Sequence, residues 1–99
     1  MISEDGLPPN WWIDTAEAMA FFGKQLQDEA HADHALKGRN MVALARADGR
    51  DDVLCTDWDE SPPRFYSVHL TWSKSNAPGY PGYSDFDNLA DFKNWWEGH

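Results

Sequence analysis

The run Phe65 to Trp72, "FYSVHLTW", constrains the chain more than any other stretch. It alternates with a period of two. Tyr66, Val68, Leu70 and Trp72 fall on one side, and Phe65, Ser67, His69 and Thr71 on the other. A helix cannot gather either set on one stripe, so the run is a strand with an apolar, core-facing side and a mixed, half-exposed one. Pro62-Pro63 breaks the ladder before it, and "SKSNAPGYPGYS" (Ser73 to Ser84) follows as a long loop.

Two further strands precede it. "NMVALAR" runs into "ADGRDD", where Asp48-Gly49 is a hairpin signal, and "VLCTDW" returns. Helices flank this meander. Asp14 stands three residues before Glu17, a capping-box spacing that predicts a helix start. Met19, Phe22, Leu26 and Ala30 recur on one stripe, with Glu17, Lys24, Asp28 and Glu29 off it. That helix is expected to fade between His34 and Lys37, with Gly38 as its C′ residue. Asp85 or Asp87 is expected to cap a last helix carrying Leu89, Phe92, Trp95 and Trp96 along one side. Residues 1–13 read as an extended arm, because Pro8-Pro9 forbids helix there.

The expected architecture is therefore α+β: a single domain, residues 1–99, built as a two-layer sandwich of helix, three-stranded antiparallel meander and helix. Both helices would lie on one sheet face. The other face, with Phe65, His69 and either Val42 and Leu44 or their neighbours, is left wanting a cover.

Charge narrows the function classes. Seventeen acids face eight Lys and Arg, for a net charge of −9. Such a surface repels nucleic acid and anionic lipid and favours basic protein partners; it also serves solubility. The aromatic residues, six of them Trp, suffice for a small core. Cys55 is the only cysteine, which excludes an internal disulfide and a cysteine-based zinc site. "MISEDGLPPNWW" has neither a basic n-region nor an apolar h-region, and no apolar run nears the roughly 18 residues of a membrane span. A cytoplasmic location is expected.

Candidate chemistry is sparse. His31 and His34 have a spacing that can place two imidazoles on one metal, with Asp28 as a third ligand, but two solvent-facing histidines near a helix end are the favoured reading. Cys55 and His69 on adjacent strands suggest a nucleophile and its base, with Asp57 on the same side of its strand as Cys55. No nucleophile elbow or oxyanion turn accompanies them. The expectation is therefore no enzyme, no cofactor and no resident metal. Acids gather between Asp48 and Glu60 without the spacing of a calcium loop. Asp51, Asp52, Asp57, Asp59 and Glu60 instead read as a charged docking surface. Tyr80 and Tyr83, with Trp58, are its aromatic anchors.

The layout "YSVHLTW", a Pro/Gly/Tyr loop and an acid-capped "FDNLADFKNWW" resembles the small acidic immunity proteins of bacterial interbacterial toxin systems, contact-dependent, type VI or polymorphic. The resemblance spans Arg64 to Trp96. It implies a non-enzymatic protein that binds and neutralises a cognate toxin, with no residue-level role carried over. Three other readings stay open. One is a phage or mobile-element inhibitor that mimics nucleic acid toward a host nuclease. Another is a small enzyme or metal protein on the histidines or Cys55. The last is a homodimer joined through Trp11, Trp12 and the uncovered sheet face.

Overall fold

A computed structural model of the chain describes residues 6–30, 34–72 and 82–98. In chain order the elements are β1 (Trp11–Trp12), α1 (Ala16–Glu29), β2 (Met41–Ala47), β3 (Asp52–Asp57), β4 (Phe65–His69), β5 (Tyr83–Phe86) and α2 (Leu89–Glu97). The strands form one antiparallel sheet in the order β1-β2-β3-β4-β5. The α+β class is as the sequence predicts. The meander has five strands rather than three: the arm contributes Trp11 and Trp12 as an edge strand, and Tyr83 and Ser84, expected in the loop, begin β5.

The helices lie on opposite faces of the sheet, not together on one. Met19, Phe22 and Leu26 of α1 pack with Met41, Ala43, Val53, Cys55, Tyr66, Val68 and Leu70. Phe92 of α2 packs with Leu7, Trp11, Ala45, Ala47, Leu54 and Phe86. The sheet is thus the middle of three layers. A bulge in β2 makes this possible. Ala43 pairs with Cys55 but Ala45 pairs with Leu54, so Leu44 is an extra residue and the strand's inward side changes face there. Met41 and Ala43 serve the α1 face, and Ala45 and Ala47 serve the α2 face.

Local chemistry moves the helix ends. Thr15, not Asp14, is the N-cap of α1: its Oγ1 accepts from Ala18 N at 3.2 Å, while Asp14 accepts from Thr15 N. The helix stops at Glu29, before the predicted end. Gly38 lies in a separate turn at φ +80°, which the Gln27 side chain ties to α1 through Leu36 O, Arg39 O and Gly38 N. Gly23 lets α1 approach β2 closely, since a Cβ there would sit 3.2 Å from Met41 O. Asn88, rather than either aspartate, caps α2 by accepting from Asp91 N at 2.8 Å.

Two side chains depart from their expected faces. Glu29 is fully buried and Trp72 is half exposed. Trp72 lies beyond the last residue of β4 at φ +62°, where strand alternation no longer applies.

Candidate functional site

Strand β3 separates the predicted acidic residues into two groups. Asp51 and Asp52 stand at its start and Asp57 to Glu60 at its end, about 17 Å away at the rise of a strand. They do not form one patch.

At the start of β3 the carboxylates are engaged. Asp52 is buried; its Oδ2 accepts from Arg50 Nε at 3.0 Å and its Oδ1 lies 2.9 Å from His69 Nδ1. Asp51 accepts from the Trp72 indole N–H at 2.8 Å. Arg50 lies over the Trp96 ring. Beside these residues is a cleft of about 380 Å³ between the β2–β3 turn and α2, walled by Trp95 and Trp96.

At the end of β3 an ionic network holds the turn. Arg39 donates from Nε to Asp57 Oδ2 at 2.7 Å, and from Nη2 to Glu60 Oε2 at 3.1 Å and to the Tyr66 hydroxyl at 3.0 Å. The Tyr66 hydroxyl in turn donates a hydrogen bond to Glu60 Oε1 at 2.9 Å. Asp57 Oδ1 accepts from Asp59 N at 3.0 Å. The Arg39 bond, then the Asp59 amide, hold the Asp57 carboxyl below its usual range, and the Asp57 bond raises Arg39 in return. Burial is the main cause that raises the Tyr66 phenol. Asp57 is therefore held ionised, and both it and Glu60 are committed to Arg39. Asp59 has no ion pair among the described residues.

Trp58 is held in the middle of this turn and is 61% exposed. It borders a cleft of about 420 Å³ lined by Leu44, Thr56, Asp57, Trp58, Glu60, Pro63 and Phe65. No residue of α2 lines it. The cleft is the uncovered end of the sheet face that Phe65 and Leu44 flag in the sequence, and the bulge presents Leu44 to it. Thr56 is satisfied by donating to Arg64 O at 2.8 Å, so the floor carries no orphaned polar group from that side chain. Arg39, which fixes the rim, has no sequence signal, because it lies 18 residues before Asp57; Tyr66 is legible as a strand residue, but its hydroxyl's tie to Glu60 is not.

Tyr83 is half exposed on the other face, against His34 and Tyr66. It is not beside Trp58 in the cleft. Tyr80 and His31 lie outside the described residues. His34 is buried, with its Nδ1 accepting from Leu36 N at 3.0 Å. Cys55 is buried on the α1 face, where burial pushes its thiol up to about 12. His69 pairs with Asp52 on the opposite face, so the two do not form a nucleophile–base pair. Among the described residues no group of three or more His, Cys, Asp or Glu is placed to hold a metal ion, and no helix is long and apolar enough to cross a membrane.

Comparison of the chain with protein family models, curated proteins and solved structures finds no match.

Proposed function

We propose that the chain is a non-enzymatic protein-binding domain that neutralises a basic toxin by occupying an essential surface of it. The observation that carries this reading is Trp58. A large indole is left in water at the mouth of an apolar cleft, with its backbone fixed between two residues of the Arg39 network. Exposed, rigidly mounted Trp is the side chain that most often dominates a protein interface, because little entropy remains to be lost on docking. The surrounding charge supports the choice of partner. A net charge of −9 draws in a basic protein and speeds encounter, while the apolar cleft sets how long the complex lasts. Trp58 and Asp59 are the contact residues. Asp57 and Glu60 belong to the scaffold that aims them.

The test is functional capture. The chain is used as bait in lysate of the producing organism, and a stoichiometrically retained basic protein is then expressed in a sensitive host with and without the chain. Restored growth with the wild-type chain, and failure of the folded variant Trp58→Asp to restore it, is the expected result. A retained protein whose toxicity the chain leaves unchanged overturns the reading.

A further inference from the structure

We infer that the cleft beside Trp58 is an arginine receptor: it takes a guanidinium side chain of the partner in preference to an ammonium. This deepens the function proposed above and rests on it. Three features select the ligand.

The first is residual charge. In the turn, one guanidinium (Arg39) is shared by Asp57 and Glu60, and Asp59 adds a third carboxylate. One cation against three anions leaves two negative charges in excess in the turn beside the cleft, although Asp59 itself does not line it. The depressed Asp57 carboxyl keeps that excess at neutral pH.

The second is the shape and polarity of the walls. Leu44, Pro63, Phe65 and the Trp58 ring give the cleft mostly apolar, flat surfaces. A lysine ammonium is a compact, strongly hydrated charge and would lose water against them. A guanidinium is planar and weakly hydrated and stacks on an indole. The volume of about 420 Å³ admits the whole side chain with its aliphatic stem.

The third is the state of the carboxylates. Glu60 already meets Arg39 and Tyr66, and Asp57 meets Arg39 and the Asp59 amide. They are fixed in direction before a ligand arrives; Glu60, the more exposed of the two, keeps a free lone pair on Oε1, whereas its Oε2 already accepts from both Arg39 and Tyr66. Fixed acceptors at a rim match the rigid donor fork of arginine better than a mobile ammonium. The protein already uses the same chemistry internally: Arg46 lies over Trp12 and Phe22, and Arg50 over Trp96.

The experiment is a titration of the isotopically labelled full chain, followed by amide and indole N–H resonances. The probes are two short glycine–serine peptides of equal length, one carrying paired arginines and the other paired lysines. The Trp58 indole resonance is assigned by its loss in Trp58→Leu. The arginine peptide is expected to shift Trp58, Leu44 and Phe65 saturably. It should bind about three- to fivefold more tightly than the lysine peptide, the margin an exposed cation–π contact supplies. That margin should vanish in Trp58→Leu, while the dispersion of the remaining resonances reports an intact fold. Equal affinity for the two peptides, or shifts centred on Asp51 and Asp52 instead, overturns the arginine assignment. Neither result touches the growth-rescue test, so the two readings fail separately.

Discussion

The carboxylate of Glu29 holds the backbone of Trp72 in the left-handed region. Glu29 Oε2 accepts from Trp72 N at 2.8 Å, and Oε1 accepts from Thr71 N at 2.6 Å and Thr71 Oγ1 at 2.8 Å, with Gln25 Nε2 2.9 Å from Oε2. At φ +62° a bulky residue is strained and persists only where its surroundings over-determine it. The buried carboxylate is that determinant. It turns the chain out of β4 so that the Trp72 indole stacks on Phe21 and donates to Asp51 at the surface.

Glu29→Gln keeps the shape and replaces one acceptor oxygen by a donor facing other donors. The expected loss is about 2 kcal/mol of folding stability, the cost of a charge-assisted hydrogen-bond set broken at a buried site. Denaturant unfolding reads it directly. The near-ultraviolet signal of Trp72 should weaken as well, taking Trp72→Phe as its reference. A loss below about 0.5 kcal/mol, the scatter of neutral surface changes, would mean that Glu29 does not hold the turn.

Arg39 gives stability a pH dependence of known sign. The Asp57 carboxyl is lowered in the folded state by the Arg39 bond. A depressed folded pKa contributes stability above the unfolded value of about 3.9, and that contribution is lost as pH falls through the folded value. Arg39→Met should cost about 2 kcal/mol at neutral pH, since it strands two partly buried carboxylates whose solvent access moderates the penalty. The difference between wild type and variant should shrink as the pH drops below about 4. Unfolding midpoints across that range test it; a difference that is constant with pH would assign the loss to packing alone.

Much of this fold was legible in the sequence, and the exceptions share a cause. Met19, Phe22, Leu26 and Ala30 are buried as their spacing predicts, and Tyr66, Val68 and Leu70 are buried as alternation predicts. β2 departs from alternation, because its period-two reading puts Met41, Ala43, Ala45 and Ala47 on one face. The bulge at Leu44 is a pairing event between strands and has no mark within the strand itself. β1 is two residues long and exists only because Ala47 and Arg46 offer it a partner. Trp11 is core, edge-on to Phe92 and Trp96, while Trp12 alternates outward under Arg46. The acids of the turn were visible as charge. Which of them are free was not, since that depends on Arg39, brought in from before β2.

Cys55 supplies a probe of the core. Its thiol is buried and pushed up to about 12 by burial, so at mildly alkaline pH almost no thiolate forms and no reagent reaches it. Native protein should resist iodoacetamide and label fully in concentrated urea, as mass spectrometry would record. Labelling in native buffer should then follow global opening, with a rate that rises in Arg39→Met and Glu29→Gln in step with their lost stability. Rapid alkylation of the wild type would show that β3 opens locally.

Trp58 and Asp59 should separate the two phases of binding without disturbing the fold. Trp58 is largely exposed, so Trp58→Ala should change stability by no more than about 0.5 kcal/mol. By contrast, Phe92→Ala, which empties a fully buried site, should cost about 3–5 kcal/mol. Against a partner captured as proposed above, the order should invert. Trp58→Ala should raise the dissociation rate at least tenfold, as the loss of an interface anchor does, roughly 1.4 kcal/mol or more. Asp59→Lys removes a carboxylate that has no ion pair among the described residues, so the folded state is untouched while the attractive field changes. It should slow association and flatten its salt dependence, with little effect on dissociation. Asp57→Lys cannot serve for this purpose, because it breaks the Arg39 pair and confounds binding with folding. Surface-based kinetics at low and high salt distinguish the cases. If Trp58→Ala leaves dissociation unchanged while Asp59→Lys still slows association, the acidic turn steers the encounter, but the lasting contact is made elsewhere, and the exposed Phe21–Trp72 stack becomes the surface to mutate next.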